Sequence, residues 1–295
     1  MNKATKPLTH IEHPEDEVLT GNLDVLFALN AAGTSSLKID GIPAVVWGTN
    51  PDTGKFGVST KSFFNKKKVK VCYTHEDVDT YFGNIPNLAK VLHACLQYLP
   101  RTEGLYQGDF IGFGGKSIYT PNALTYDFGE VVEQDIIMAP HTKYIASSPV
   151  WTSVPTSNPE FYADTDNVKW VQPIVDRRRS KRITFNTDGI EFLSPKEAAQ
   201  AKVAINALIK SGQSVDIHTL TDIIGDSNLA ALYEQVMIAK QYVMSQFIIA
   251  NAPKCYLNGE RIQGEGFVLT TAFGVIKLVD RAQFSFANFN TGYQK

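Results

Sequence analysis

Apolar residues recur at helical spacing in "NLDVLFALNAAG" (22–33), which predicts a short helix ended by Gly33. The period then changes. "PAVVWG" and "KFGVSTKS", joined by the turn residues of "NPDTG", predict a β-hairpin. Leu88, Val91, Leu92, Cys95, Leu96 and Leu99 share one helical face and predict a helix over about 87–98. "GLYQGDFIGF" predicts a strand, and "YDFGEVVEQDIIMAPHTKYIA" one or two more. "SPVWTSVPTSNPEFYADTDN", rich in Pro, Ser, Thr and Asn, predicts an excursion over the surface. Ser194 is a good N-cap for "SPKEAAQAKVAINALIKSG"; Pro195 suits the first helical position and Glu197 completes a capping box. A second helix is expected over roughly 227–250, before "GFVLTTAFGVIKLVDRAQFS" returns to strands.

Strands, then helices, then strands again is the order of an α+β domain with antiparallel sheets, not of repeated βαβ units. Residues 1–20 are polar, carry Pro7 and Pro14, and are expected to form a loose N-terminal arm. One domain would then span 21–295, interrupted by a largely helical insert at about 190–252.

Composition narrows the class. The 295 residues are 43% apolar and 20% charged, a globular balance with enough material for a real core. A formal net charge of -2 does not mark a dedicated duplex-DNA binder, although a local basic groove can sit on a neutral protein. The three cysteines are scattered and include no CxxC pair, so neither a disulfide framework nor a structural zinc site is expected. The start of the chain has no apolar signal core, and no window approaches the roughly 18 apolar residues of a membrane span. A cytoplasmic protein is the expectation.

Several candidate motifs lead nowhere. "GFGGKS" (112–117) ends like a phosphate-binding P-loop, but Phe110 stands where its first glycine is needed and "IYTPNALTY" reads as extended, not helical. His10 and His13 read as a surface pair, and His93 as a core or boundary residue. His141, after an apolar strand, is a possible pocket residue.

Six charged positions are more informative. Lys38 and Asp40 occur in "SSLKIDGIPAVVWG", followed by Gly41. Lys61 lies on the expected return strand of the hairpin, Asp109 in "GLYQGDF", Glu265 in "GEGFVL" and Lys277 in "GVIKLVD". Each charge interrupts a β-patterned segment, where an unpaired charge is costly. An edge-strand charge facing water is the competing reading for any one of them.

Together they resemble the covalent nucleotidyltransferases, the superfamily of ATP-dependent DNA and RNA ligases and messenger-RNA capping enzymes. Its motifs run in the order seen here: K-x-D-G, a basic residue on the next strand, a strand ending in an acid, E-G-hydrophobic, and a final lysine. The resemblance covers about 35–120 and 260–285. In texture it is closest to phage RNA-ligase-like proteins, which would place the protein in a host cytoplasm if phage-encoded.

The resemblance implies an ATP-grasp-like nucleotidyltransferase domain of antiparallel sheets flanked by helices. It implies ATP and Mg²⁺ (or Mn²⁺) as cofactors, with AMP carried on Lys38 and passed to a nucleic-acid 5′-phosphate. Asp40 would orient the lysine or the metal shell; Lys38, Gly41, Lys61, Asp109, Glu265 and Lys277 would hold the nucleotide; Asp109 and Glu265 would bind the metal. The chemistry is coherent. A lysine titrating near 10.4 attacks only when neutral, and burial with neighbouring cations lowers that value. The same cations offset phosphate charge, and carboxylates suit a hard metal.

The chain also departs from the pattern. Val279 stands where the family usually has a second lysine, and Asp109 replaces the usual glutamate. Only 18 residues follow Lys277, so no C-terminal OB-fold domain is expected. Two basic runs could contact nucleic acid: "KSFFNKKKVK", with Lys66, Lys67 and Lys68 beside Phe63 and Phe64, and "DRRRSKR", with Arg177, Arg178 and Arg179. Solvated charge is their competing reading. Two functional alternatives stand beside the ligase: a catalytically reduced nucleic-acid-binding or phage assembly protein on the same fold, and a capping-type guanylyltransferase.

Overall fold

The computed structural model describes residues 11–65, 67–147, 150–155, 162–178, 181–281 and 283–284. The chain begins with α1 (Pro14–Glu17), α2 (Asp24–Asn30), β1 (Gly33–Leu37), β2 (Ala44–Asn50), β3 (Lys55–Ser59), α3 (His75–Phe82) and α4 (Pro86–Tyr98). It continues through β4 (Leu105–Phe113), β5 (Ile118–Tyr119), β6 (Leu124–Asp127), β7 (Ile136–Ser147), β8 (Val150–Pro155), β9 (Val168–Trp170) and β10 (Ile174–Arg177). The helices α5 (Pro195–Lys210), α6 (Ile217–Ile224) and α7 (Ser227–Ser245) follow. The last strands are β11 (Phe247–Ala250), β12 (Lys254–Leu257), β13 (Glu260–Ile262), β14 (Gly266–Thr271) and β15 (Gly274–Val279). The architecture is mixed α+β, and the chain forms two compact units.

The first unit comprises Ile39–Pro173 and Asn251–Ile262. Its larger sheet runs β3-β2-β4-β7-β8, antiparallel throughout, with β9 parallel on β7. Alternation along the strands sends neighbours to opposite faces. Val45, Trp47 and Tyr106 pack with Val78, Phe82, Leu92 and Cys95 of α3 and α4. Val46, Leu105 and Tyr144 pack with Phe63 and Val71 instead. A four-stranded antiparallel sheet, β13-β12-β6-β5, completes the unit.

The second unit comprises Ile11–Lys38, Ile174–Ala250 and residues 263–284. It holds the antiparallel sheet β1-β14-β15 and the pair β10-β11. Ile205, Leu220, Leu229 and Tyr233 of α5–α7 form its helical core together with Leu19. The capping box at α5 is present: Ser194 Oγ accepts from the Glu197 amide at 3.3 Å and Glu197 Oε2 accepts from the Ser194 amide at 2.9 Å.

The structure corrects several expectations. Residues 14–20 are no loose arm, because Val18 and Leu19 are fully buried and Glu15 and Asp16 are buried among cations. Residues 1–10 of the expected arm lie outside the described residues. Gly33 does not cap a helix; it opens β1, where a Cβ would lie 2.2 Å from the Thr270 carbonyl oxygen. The carbonyls of Leu29 in α2 and of Ala31 just beyond it accept instead from the Arg177 guanidinium, at 2.8 and 3.1 Å. The second helix of the insert stops at Ser245, since the apolar run Phe247–Ala250 pairs with β10. Part of the expected surface excursion is strand: Val150–Pro155 pairs with β7. Three helices, α5–α7, occupy the expected insert; α6 is only eight residues long, too short for its periodicity to stand out.

Candidate functional site

In the second unit, strand pairing gathers three charges that are far apart in sequence. Leu37 ends β1 opposite Phe267, and the Lys38 amide continues the ladder by donating to the Gly266 carbonyl at 2.8 Å. Glu265 immediately precedes β14, so its carboxylate meets the next residue of the neighbouring strand. Lys38 Nζ donates to Glu265 Oε2 across 227 positions of sequence. The two side chains are 30% and 12% exposed, so the pair is sheltered yet reachable.

Glycine lets the start of β14 lie close against β15. At Gly266 (φ 156°) a Cβ would lie 2.2 Å from the Leu278 carbonyl oxygen. Lys277 sits in β15 opposite Val268. Burial first, and then the Lys38 ammonium, hold the Lys277 amine below the ordinary lysine value. Val279, where the resemblance expects a second lysine, is 5% exposed and belongs to the core.

In the first unit, both backbone polar groups of Asp40, one of its carboxylate oxygens and the Gly41 amide are hydrogen-bonded. The Asp40 amide donates to Tyr126 Oη at 2.9 Å, and that hydroxyl donates back to the Asp40 carbonyl at 3.1 Å. Asn122 Nδ2 donates to Asp40 Oδ2 at 2.7 Å, while Asn122 Oδ1 accepts from the Leu124 amide. Asp109 Oδ2 accepts from the Gly41 amide at 3.2 Å. A side chain at Gly41 would collide with β4, because its Cβ would lie 2.4 Å from the Phe110 carbonyl oxygen. The buried Asp109 therefore anchors the turn. Its other oxygen lies 3.6 Å from His141 Nε2, which Gln107 also approaches at 3.4 Å.

The remaining predicted residues separate. Lys61 is not on the return strand: β3 ends at Ser59, and Lys61, itself exposed, opens a 3-10 turn capped by Thr60. Lys67 and Lys68 are exposed, as is Arg178; Lys66 and Arg179 lie outside the described residues. Phe63 is buried and packs on Phe64, which packs on Tyr144, so Phe63 is core rather than a stacking platform. Arg177 directs its guanidinium to the carbonyls of Leu29 and Ala31.

Among the described residues no group of three or more His, Cys, Asp or Glu side chains is arranged to hold a metal ion. A Mg²⁺ ion bound largely through substrate phosphates needs only one or two carboxylates. Glu265 fits that requirement. Asp109, engaged by the Gly41 amide, fits the role of loop anchor better than that of metal ligand. Asn122 and Tyr126 escaped the sequence reading; only their spatial neighbour Asp40, 82 and 86 positions away, gives them meaning.

The sequence matches a family of unknown function, DUF6267, over residues 8–228 and 221–293, and the chain belongs to that family. No curated protein and no solved structure matches it. Among the described residues, no helix is long and apolar enough to cross a membrane.

Proposed function

We propose that the protein is a ligase-like nucleotidyltransferase that forms a lysyl-AMP intermediate at Lys38 and transfers AMP to a nucleic-acid 5′-phosphate. One observation carries the reading. The lysine of K-x-D-G just past β1, the glutamate of E-G just before β14 and the lysine of β15 lie together at one small sheet. In this reading the fold is of the ATP-grasp-like ligase type.

Lys38 rests as an ammonium paired with Glu265. As the neutral amine its Nζ attacks the α-phosphorus of ATP. The resting ammonium first gives one proton to solvent; as the amine attacks, the N–P bond forms, the bond to the pyrophosphate oxygen breaks, and the nitrogen's second proton leaves with the pyrophosphate. Lys277, near the Lys38 ammonium, supplies positive charge to the phosphate. Mg²⁺ or Mn²⁺, held by Glu265 and phosphate oxygens, would offset further charge. A 5′-phosphate oxygen then displaces Lys38 from phosphorus, and a 3′-hydroxyl displaces AMP to seal the strand. Asp40 and Gly41, which follow the nucleophile in sequence, are held by Asn122, Tyr126 and Asp109. Lys61 is assigned to the nucleotide by motif order alone, and Lys67, Lys68 and Arg178 to the nucleic acid by charge and exposure.

A second reading, a nucleic-acid-binding protein with reduced turnover, is favoured by the buried Val279. A capping-type guanylyltransferase differs in the nucleotide. Incubation with Mg²⁺ and α-labelled ATP or GTP, followed by denaturation, separates all three. Label retained from ATP supports the ligase, label from GTP the capping type, and no label from either the binding protein.

A further inference from the structure

We propose that a cavity beside α5 and α7 binds a neutral small molecule that carries a carboxamide on an apolar body. The cavity has a volume of about 230 Å³ and lies wholly within the second unit, so it does not depend on the nucleotidyl-transfer reading. Its walls are apolar: Ile205 and Ile209, one turn apart on α5, together with Val215 and Met237. Its buried end is charged. Glu15, Lys240 and Arg281 line it with side chains 1%, 3% and 7% exposed. Gln213, Ser214 and Gln241 line it as well and are exposed, which gives a ligand its way in.

The buried groups have hydrogen-bonding capacity left over. A lysine ammonium has three N–H donors, and among the described residues Lys240 uses one, on Glu15 Oε1. Glu15 Oε2 is buried and has no hydrogen-bond partner among the described residues. A buried polar atom in that condition is costly, and a ligand that completes it gains accordingly. A carboxamide answers both needs: its carbonyl accepts from Lys240 and its N–H donates to Glu15.

Charge and size narrow the ligand further. Glu15 and Asp16 already balance Lys240 and Arg281, and Arg281 donates to Asp16, Tyr233 and Asn206. Asp280 also lines the cavity but is only half-buried, so water solvates its charge. A carboxylate or an amidinium at the buried end would add a charge with no counter-charge left for it. A cavity of about 150 Å³ accepts benzene, so one of 230 Å³ admits roughly nine non-hydrogen atoms. Benzamide is a probe of that size. Benzoate and benzamidine share its shape and differ in charge, and acetophenone keeps the carbonyl but has no N–H.

The test is titration of the full chain with each of the four probes near neutral pH, followed by ligand-observed nuclear magnetic resonance. Benzamide should bind at one site with a Kd of about 1 mM or tighter. Benzoate, benzamidine and acetophenone should each bind at least about tenfold more weakly, the first two for their charge and the third because Glu15 Oε2 stays unpaired. Val215→Trp, which fills the cavity from the loop between α5 and α6, should remove benzamide binding while the thermal melt stays cooperative. Absence of benzamide binding to the wild type at about 10 mM would overturn the proposal. So would equal or tighter binding of any of the other three probes, or undiminished benzamide binding in folded Val215→Trp. The order of the four probes on the wild type keeps the test valid even if that variant fails to fold.

Discussion

Replacing Lys240 by Met should destabilise the second unit severely, although the two side chains are similar in size. The Lys240 and Glu15 side chains are 3% and 1% exposed. Glu15 Oε1 accepts from Lys240 and lies 3.6 Å from Arg281 Nη1, while its Oε2 has no hydrogen-bond partner among the described residues. Arg281 is already committed, donating to Asp16 Oδ1 at 2.8 Å, Tyr233 Oη at 2.9 Å and Asn206 Oδ1 at 2.7 Å. Without Lys240 the buried carboxylate keeps a shared Arg281 at 3.6 Å and the His13 ring at 3.9 Å, neither within hydrogen-bond distance. Breaking such a pair costs about 3–5 kcal/mol, equivalent to roughly 6–20 °C in Tm for a unit of this size. The double variant Glu15→Gln/Lys240→Met removes both charges and should recover more than half of the loss, since contacting pairs are not additive. Urea unfolding followed by helical ellipticity is the assay, because α5–α7 hold most of the helical residues while Trp47, Trp151 and Trp170 all lie in the first unit. A loss below about 1 kcal/mol, or a double variant no better than the single one, would refute the reasoning.

Other substitutions probe the two motif segments and the helical core. Ser194→Ala removes the α5 capping box and should cost about 1 kcal/mol in the same urea assay. Asp109→Leu strands the buried Gly41 amide and should cost about 1–3 kcal/mol, whereas Asp109→Asn, which keeps an acceptor, should cost less. Lys277→Met should abolish nucleotide labelling yet raise stability at pH 7. The folded-state pKa of Lys277 is depressed, so its charge penalises the fold below that value. That penalty fades as pH rises toward the unfolded value of about 10.4, and urea curves for the variant and wild type should converge there.

Local pattern carried the strands well. β2, β3, β4, β14 and β15 lie where alternation and turn residues placed them, because each buries one or both faces in its own sheet. The Ser194 cap was legible because its chemistry is complete within four residues. The Lys38–Glu265–Lys277 grouping was legible only through motif order, since pattern alone cannot bring together residues more than two hundred positions apart.

What escaped was polar burial. Glu15 and Asp16 read as solvent-facing, yet their partners are Lys240 and Arg281, 225 and 265 positions away. Arg177 reads as part of a basic run, but two helix-end carbonyls consume it. Phe63 reads as an exposed ring among lysines, but the sheet beneath it takes it into the core. In each case the charge or ring is defined by a distant partner that no local period announces.

The central claim is most directly tested by intact-protein mass spectrometry after incubation with ATP and Mg²⁺, comparing the wild type with Lys38→Arg. Arginine keeps a cation beside Glu265 but offers no amine that deprotonates, so the variant preserves the ion pair while removing the nucleophile. The account predicts a mass gain of one adenylyl group on the wild type, mapped to Lys38 by peptide analysis, reversed by added pyrophosphate and absent from the variant. An unmodified wild type that remains unmodified after prior pyrophosphate treatment and across metals and pH, or an adduct that persists in Lys38→Arg, would contradict it.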